Sequence, residues 1–83
     1  MNKILVVIYV PLLGEKYEVY IPINKKIGTI KKIVIDTINE LSGNSLVNID
    51  NLRLYSKDDC KLYSNDVYVR DSNIQNGSIL MLL

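Results

Sequence analysis

Apolar and polar positions change their period along this chain, and each change marks an element. From Lys3 to Val10 the run KILVVIYV is apolar almost throughout and rich in β-branched residues, and it stops against Pro11 and Gly14. A short run of that kind between turn residues predicts a strand. The turn PLLGEK leads into KYEVYIPI, where Tyr17, Val19 and Ile21 fall on one side of a two-residue period and Glu18 and Tyr20 on the other. The two segments predict an N-terminal β-hairpin, with Pro22 near its end, where a missing ladder donor matters least. After Gly28 the period lengthens. Ile30, Ile33, Val34, Ile38 and Leu41 follow the spacing of one helical face, Thr29 offers a capping hydroxyl and Gly43 a left-handed stop. Lys31, Lys32, Asp36 and Glu40 take the wet side, so the segment predicts an amphipathic helix that depends on packing more than on its own propensity.

The polar stretch NSLVNIDN connects this helix to LRLYS, a short strand with Leu52 and Leu54 on one face and Arg53 and Tyr55 on the other. KDD predicts a turn and CKLY a small fourth strand. SNDVYVRDSNIQNG reads as a loop with Ile74 as a buried plug, and Asn76-Gly77 turns the chain into a last strand, SILMLL. The predicted order is β-β-α-β-β-β, an α+β domain spanning 1–83 with one helix laid across one face of a mixed sheet. That arrangement raises a question about the first strand. If Ile4, Val6, Ile8 and Val10 face the helix, then Leu5, Val7 and Tyr9 face outward beside Tyr20. Strands apolar on both sides are usually covered on both sides, so a second copy of the chain or a protein partner is expected there.

Composition narrows the chemistry. The chain has 83 residues, 48% of them hydrophobic, which suits one small core and argues against disorder. It has no apolar run of the roughly 18 residues needed to cross a bilayer. The lysine ahead of the first apolar run weakly imitates a secretion signal. No small-residue cleavage site follows Pro11, and the expectation is a cytoplasmic protein with no membrane insertion. Histidine is absent and Cys60 is the single cysteine, so His-based acid–base catalysis, Cys–His nucleophiles and an internal disulfide are all out of reach. No catalytic residue, cofactor, metal site or small-molecule substrate is expected. Asp58 and Asp59 read as turn chemistry, lacking further oxygen ligands at calcium spacing. Cys60 reads as a small hydrophobe in a strand, the alternative being a reactive thiol beside Lys61. The net charge of +1 hides an asymmetry: residues 1–32 hold six lysines against two glutamates, while residues 33–83 hold four basic against seven acidic residues. Lys25, Lys26, Lys31 and Lys32 gather around the predicted helix start, either as an anion site or as ordinary solvation. No aromatics interleave with them, so nucleic acid is not expected as a partner.

The closing VRDSNIQNGSILMLL resembles the ubiquitin-like (β-grasp) superfamily, DSNIQNGSIL being similar to the D-Y-N-I-Q-K-E-S-T-L run of ubiquitin. LRLYS sits where ubiquitin has its R-L-I strand, and YIPINKKIGTIKKIVI is similar to its strand, proline, turn and helix start. The loop after the first strand and residues 43–51 do not align. In this register Leu83 falls in the last strand, and the Gly-Gly on which conjugation and sulfur-carrier chemistry act is missing; only glycine passes a narrow catalytic channel without a side chain. The resemblance therefore implies a ubiquitin-like protein that is not conjugated. VRDSNIQNGSILMLL and VYIPINKKIGTIKKIV further resemble the small bacterial YukD-type proteins of type VII (WXG-type) secretion systems. That likeness implies a small accessory or regulatory component whose partners are proteins, among them secretion-system membrane subunits. The alternatives are a self-assembling structural domain, or a carrier protein of another pathway. Ubiquitin's partner-binding patch maps onto Tyr55, Met81 and Leu83, with Leu12 or Leu13 from the first turn; the contrary reading is an incidentally apolar outer face.

Overall fold

The structure is a computed structural model that describes residues 2–43, 52–58 and 60–83. Strand β1 (Lys3–Val10) turns through Pro11–Gly14 into β2 (Glu15–Pro22), antiparallel to it, with Leu5 opposite Tyr20 and Tyr9 opposite Lys16. The turn closes by hydrogen bonds from the Leu13 N–H to the Val10 carbonyl and from the Gly14 N–H to the Pro11 carbonyl. Helix α1 (Ile27–Ser42) follows, then, among the described residues, β3 (Leu54–Ser56), a 3-10 turn (Val69–Asp71) and β4 (Ile79–Leu82). The sheet order is β2-β1-β4-β3, β4 lying parallel to β1 and antiparallel to β3. The sheet is mixed and the helix covers one face of it, as expected.

Three expectations need correction. CKLY does not form a strand: Leu62 makes one isolated bridge to Tyr55, and among the described residues the order is β-β-α-β-β. Cys60 has φ 55, a left-handed conformation that breaks extended pairing just before that bridge. The helix starts at Ile27, ahead of Thr29, with Lys26 at its N-cap and no side-chain cap bond. Its opening N–H groups are taken from outside: the Ile27 N–H donates to the Val67 carbonyl and the Gly28 N–H to the Asn65 carbonyl. A helix whose first donors are satisfied by a distant loop does not need a local capping hydroxyl. The buried face shifts accordingly. Ile27, Ile30, Val34, Ile35 and Ile38 are buried, whereas Ile33 and Leu41 are exposed. Gly43 ends the helix as expected, at φ 71, its N–H donating to the Asn39 carbonyl. The polar connection after Gly43 and residue Asp59 lie outside the described residues.

Those helix residues meet Val6, Ile8, Val10, Val19, Ile21, Leu54, Leu80 and Leu82 of the sheet. Val69 and Ile74 close the end of the core. Ile74 was expected there, but Val69 was not. Burial of Val69 brings the long crossover onto the β2–α1 connection, where the Val69 N–H donates to the Lys25 carbonyl and the Arg70 N–H to the Ile23 carbonyl. Ser72 braces the loop, its hydroxyl donating to the Val69 carbonyl and accepting from the Ile74 N–H.

The Asn76-Gly77 turn is fixed from both sides. Gly77 has φ 89, and the Ser78 N–H donates to the Gln75 carbonyl, the pattern of a type II turn. Asn76 Oδ1 accepts the Leu5 N–H at 2.8 Å, and the Gly77 N–H donates to the Leu5 carbonyl at 2.7 Å. The turn therefore sets where β4 begins to pair with β1. Gly77→Val forces a β-branched side chain into that conformation and is expected to cost about 1–3 kcal/mol in urea unfolding, with Gly77→Asn costing less.

Candidate protein-docking face

Side chains alternate across a strand, so the residues that leave the core line the other face of the sheet. In β1 these are Leu5, Val7 and Tyr9, each half-buried. The register arranges them in rows. Tyr20, 62% exposed, stands beside Leu5. Glu18, Val7 and Ile79 form a second row, and the Lys57 N–H donates to the Ile79 carbonyl at its far end. The third row runs the full width of the sheet, from Lys16 through Tyr9, Met81 and Tyr55 to the bridged Leu62. Leu83 continues the pairing beyond β4, exchanging both backbone hydrogen bonds with Arg53, and its side chain is 46% exposed. Among the described residues no helix or strand lies over these rows.

Leu5, Val7, Tyr9, Tyr20, Tyr55, Met81 and Leu83, all expected on this face, are thus brought together, whereas the two leucines of the first turn are not. Leu12 projects from the β1–β2 turn, 69% exposed, but Leu13 packs against the core. A four-residue turn carries the chain back over the sheet end, and its second leucine falls inward. Two residues that sequence reasoning did not single out join the surface: Ile79, and Leu62 at the end of the third row. Ile79 shares the parity of Met81 and Leu83, a signal that was available. Leu62 had none, because its place depends on the bridge to Tyr55.

The lysines are only partly gathered. Lys26, Lys31 and Lys32 line one open depression, while Lys25 is not part of it. Asp36 and Asp66 line the same depression, so its charge is mixed. The helix donors that favour an anion are already engaged, since the Thr29 N–H also bonds, to the Lys26 carbonyl. Tyr68 gives two cations a local role: Lys26 Nζ lies 6.0 Å from its ring centroid and the Arg70 guanidinium 4.8 Å. Cys60 is exposed, contrary to the reading of a buried hydrophobe. Among the described residues no group of His, Cys, Asp and Glu side chains is placed to hold a metal ion, and no helix is long and apolar enough to cross a membrane.

No protein-family model matches the chain, and no curated protein matches it. Solved structures do. The N-terminal ubiquitin-like domain of the 4931431F19Rik protein superposes with TM-score 0.73 at 20% identity, covering 99% of this chain and 74% of that one. The ubiquitin-like domain of Arabidopsis thaliana At2g32350 gives TM-score 0.70 at 17% identity, covering 100% and 78%. A chain of the ESX-5 inner membrane complex gives TM-score 0.73 at 15% identity; all of this chain is covered, and it spans 21% of that one. Identities this low speak for the fold, which is the ubiquitin-like β-grasp.

Proposed function

We propose that this chain is a non-catalytic protein-interaction module that docks a partner on the outer face of its sheet. The observation that carries the reading is the unbroken row Tyr9, Met81, Tyr55 and Leu62, flanked by Leu5, Val7 and Ile79, on a face that α1 does not cover. Covering apolar area stabilises a complex by roughly 25 cal/mol per Å², and tyrosine and methionine are favoured in interface centres. The rim sets the partner's chemistry. Lys16, Arg53 and Lys57 against Glu18 match a partner with an apolar centre and a mainly acidic border.

The setting we infer is a type VII secretion system, with the chain as a small cytoplasmic accessory or regulatory component. Two observations support it: the likeness of VRDSNIQNGSILMLL and VYIPINKKIGTIKKIV to the YukD-type proteins, and the fold shared with part of an ESX-5 inner membrane complex chain. The test is co-expression with the type VII membrane subunits encoded in the same genome, followed by affinity purification and titration calorimetry. Saturable binding by one of those subunits is the expected result. A genome without such subunits, or subunits that do not retain the chain, removes the secretion setting.

A further inference from the structure

We propose that two copies of this chain join along β2, antiparallel about a two-fold axis at Tyr17, so that two four-stranded sheets become one. Among the described residues strand β2 lies at the margin of the sheet and pairs only with β1. The Ile23 N–H donates to the Asn2 carbonyl at 2.8 Å, just past the end of the ladder. Hydrogen-bonded pairs recur at every second residue of an antiparallel ladder. Ile21, Val19, Tyr17 and Glu15 therefore turn their backbone groups toward β1, while Lys16, Glu18 and Tyr20 turn theirs off the edge. Pro22, whose absent N–H would point the same way, closes the open stretch. The side chains of Lys16, Glu18 and Tyr20 are all exposed.

The charges choose both the occupant and the register. Centred on Tyr17, an antiparallel pair of β2 strands sets Lys16 of each copy opposite Glu18 of the other, and these are the residues whose backbone groups are open. Both charge matches then coincide with hydrogen-bonded positions. Centring the pair on Glu18 sets that carboxylate against its own copy, and centring it on Val19 sets Glu18 against Tyr20. A half-step between these registers opposes core-facing with outward-facing side chains. Only one alignment is self-complementary. At its axis Tyr17 meets Tyr17 across a non-hydrogen-bonded pair, where cross-strand side chains approach most closely, and the half-buried ring keeps a flank open for that contact. Lysine and glutamate on an edge strand discourage indiscriminate sheet addition, so the same two residues block most pairings and admit this one. The join leaves Leu5, Val7, Tyr9 and Met81 of both copies uncovered and sets two docking faces side by side.

Sedimentation equilibrium of the full chain, over a range of concentration and salt, tests this directly. A reversible dimer is expected, weakened by added salt. Lys16→Glu or Glu18→Lys alone should weaken it by at least about tenfold, because each puts like charges opposite one another at two places. The double variant K16E/E18K restores both matches and should return the association constant to near the wild-type value. Both positions are exposed, and unchanged far-UV circular dichroism will show that the variants fold. The proposal is overturned by a wild-type chain that stays monomeric at its solubility limit. It is equally overturned by a dimer indifferent to the single substitutions, or by one that the double variant does not restore.

Discussion

Ile35→Ala is expected to lower the unfolding free energy by about 2–5 kcal/mol, whereas Ile33→Ala should change it by no more than about 0.5 kcal/mol. The two isoleucines sit two positions apart on α1, yet Ile35 has no exposed surface and Ile33 is 36% exposed. Truncating Ile35 leaves a cavity among Val34, Ile38 and the sheet residues of the same cluster, which cannot collapse fully. Truncating Ile33 removes contacts at the border of the helix and improves helix propensity, two effects that oppose each other. For a domain this small, the first change removes a large share of the whole stability. Urea unfolding followed by circular dichroism distinguishes the two. Equal losses at both positions would mean that the helix packs by a different face.

That contrast also shows where sequence reasoning ran short. Both assignments obey a helical period, and the apolar residues between Ile27 and Leu41 are numerous enough to fit two overlapping stripes. The choice between them is made at the first turn. A start capped by Thr29 draws Ile33 and Leu41 into the apolar stripe. The actual start at Ile27 is held by the carbonyls of Val67 and Asn65, and it buries Ile27 and Ile35 instead. Gly28 belongs to the same junction: a Cβ there would lie 3.2 Å from the Asn65 Cβ, so the loop comes this near only because that side chain is absent. Nothing in the local sequence of the helix records a contact made by a loop so far along the chain. Val69 was missed for the same reason: nothing local distinguishes it from Val67 and Tyr68 beside it, and it is buried because its own N–H docks on Lys25 and that of Arg70 on Ile23.

Strands were easier to read because their signals are local. The first strand occupies KILVVIYV as expected, since its β-branched run is cut off by Pro11 and the turn at Gly14. The outward set Leu5, Val7 and Tyr9 followed from parity alone, and parity also placed Met81 and Leu83. The neighbours of those residues required the register. That β4 lies between β1 and β3, so that Met81 stands between Tyr9 and Tyr55, is a fact of topology.

The position of Met81 makes it the most sensitive probe of the docking face. Met81→Glu is expected to weaken binding of the proposed partner by at least about 2 kcal/mol, roughly thirtyfold in Kd, since residues at a desolvated interface centre dominate affinity. A carboxylate between Tyr9 and Tyr55 would also have to be desolvated against a partner whose border is mainly acidic. In the free protein the same substitution meets solvent, and the expected stability cost is under about 1 kcal/mol. Leu12→Ala, at the exposed tip of the β1–β2 turn, should alter affinity by less than about 1 kcal/mol, because rim contacts contribute little. Leu82→Glu turns the charge to the other side of the same strand, into the core, and should prevent folding altogether. Titration calorimetry with thermal unfolding of each variant separates these outcomes. A Met81→Glu protein that binds as the wild type does would place the contact on another surface. One that unfolds with Leu82→Glu would mean that this face is a second core, already covered in the free chain.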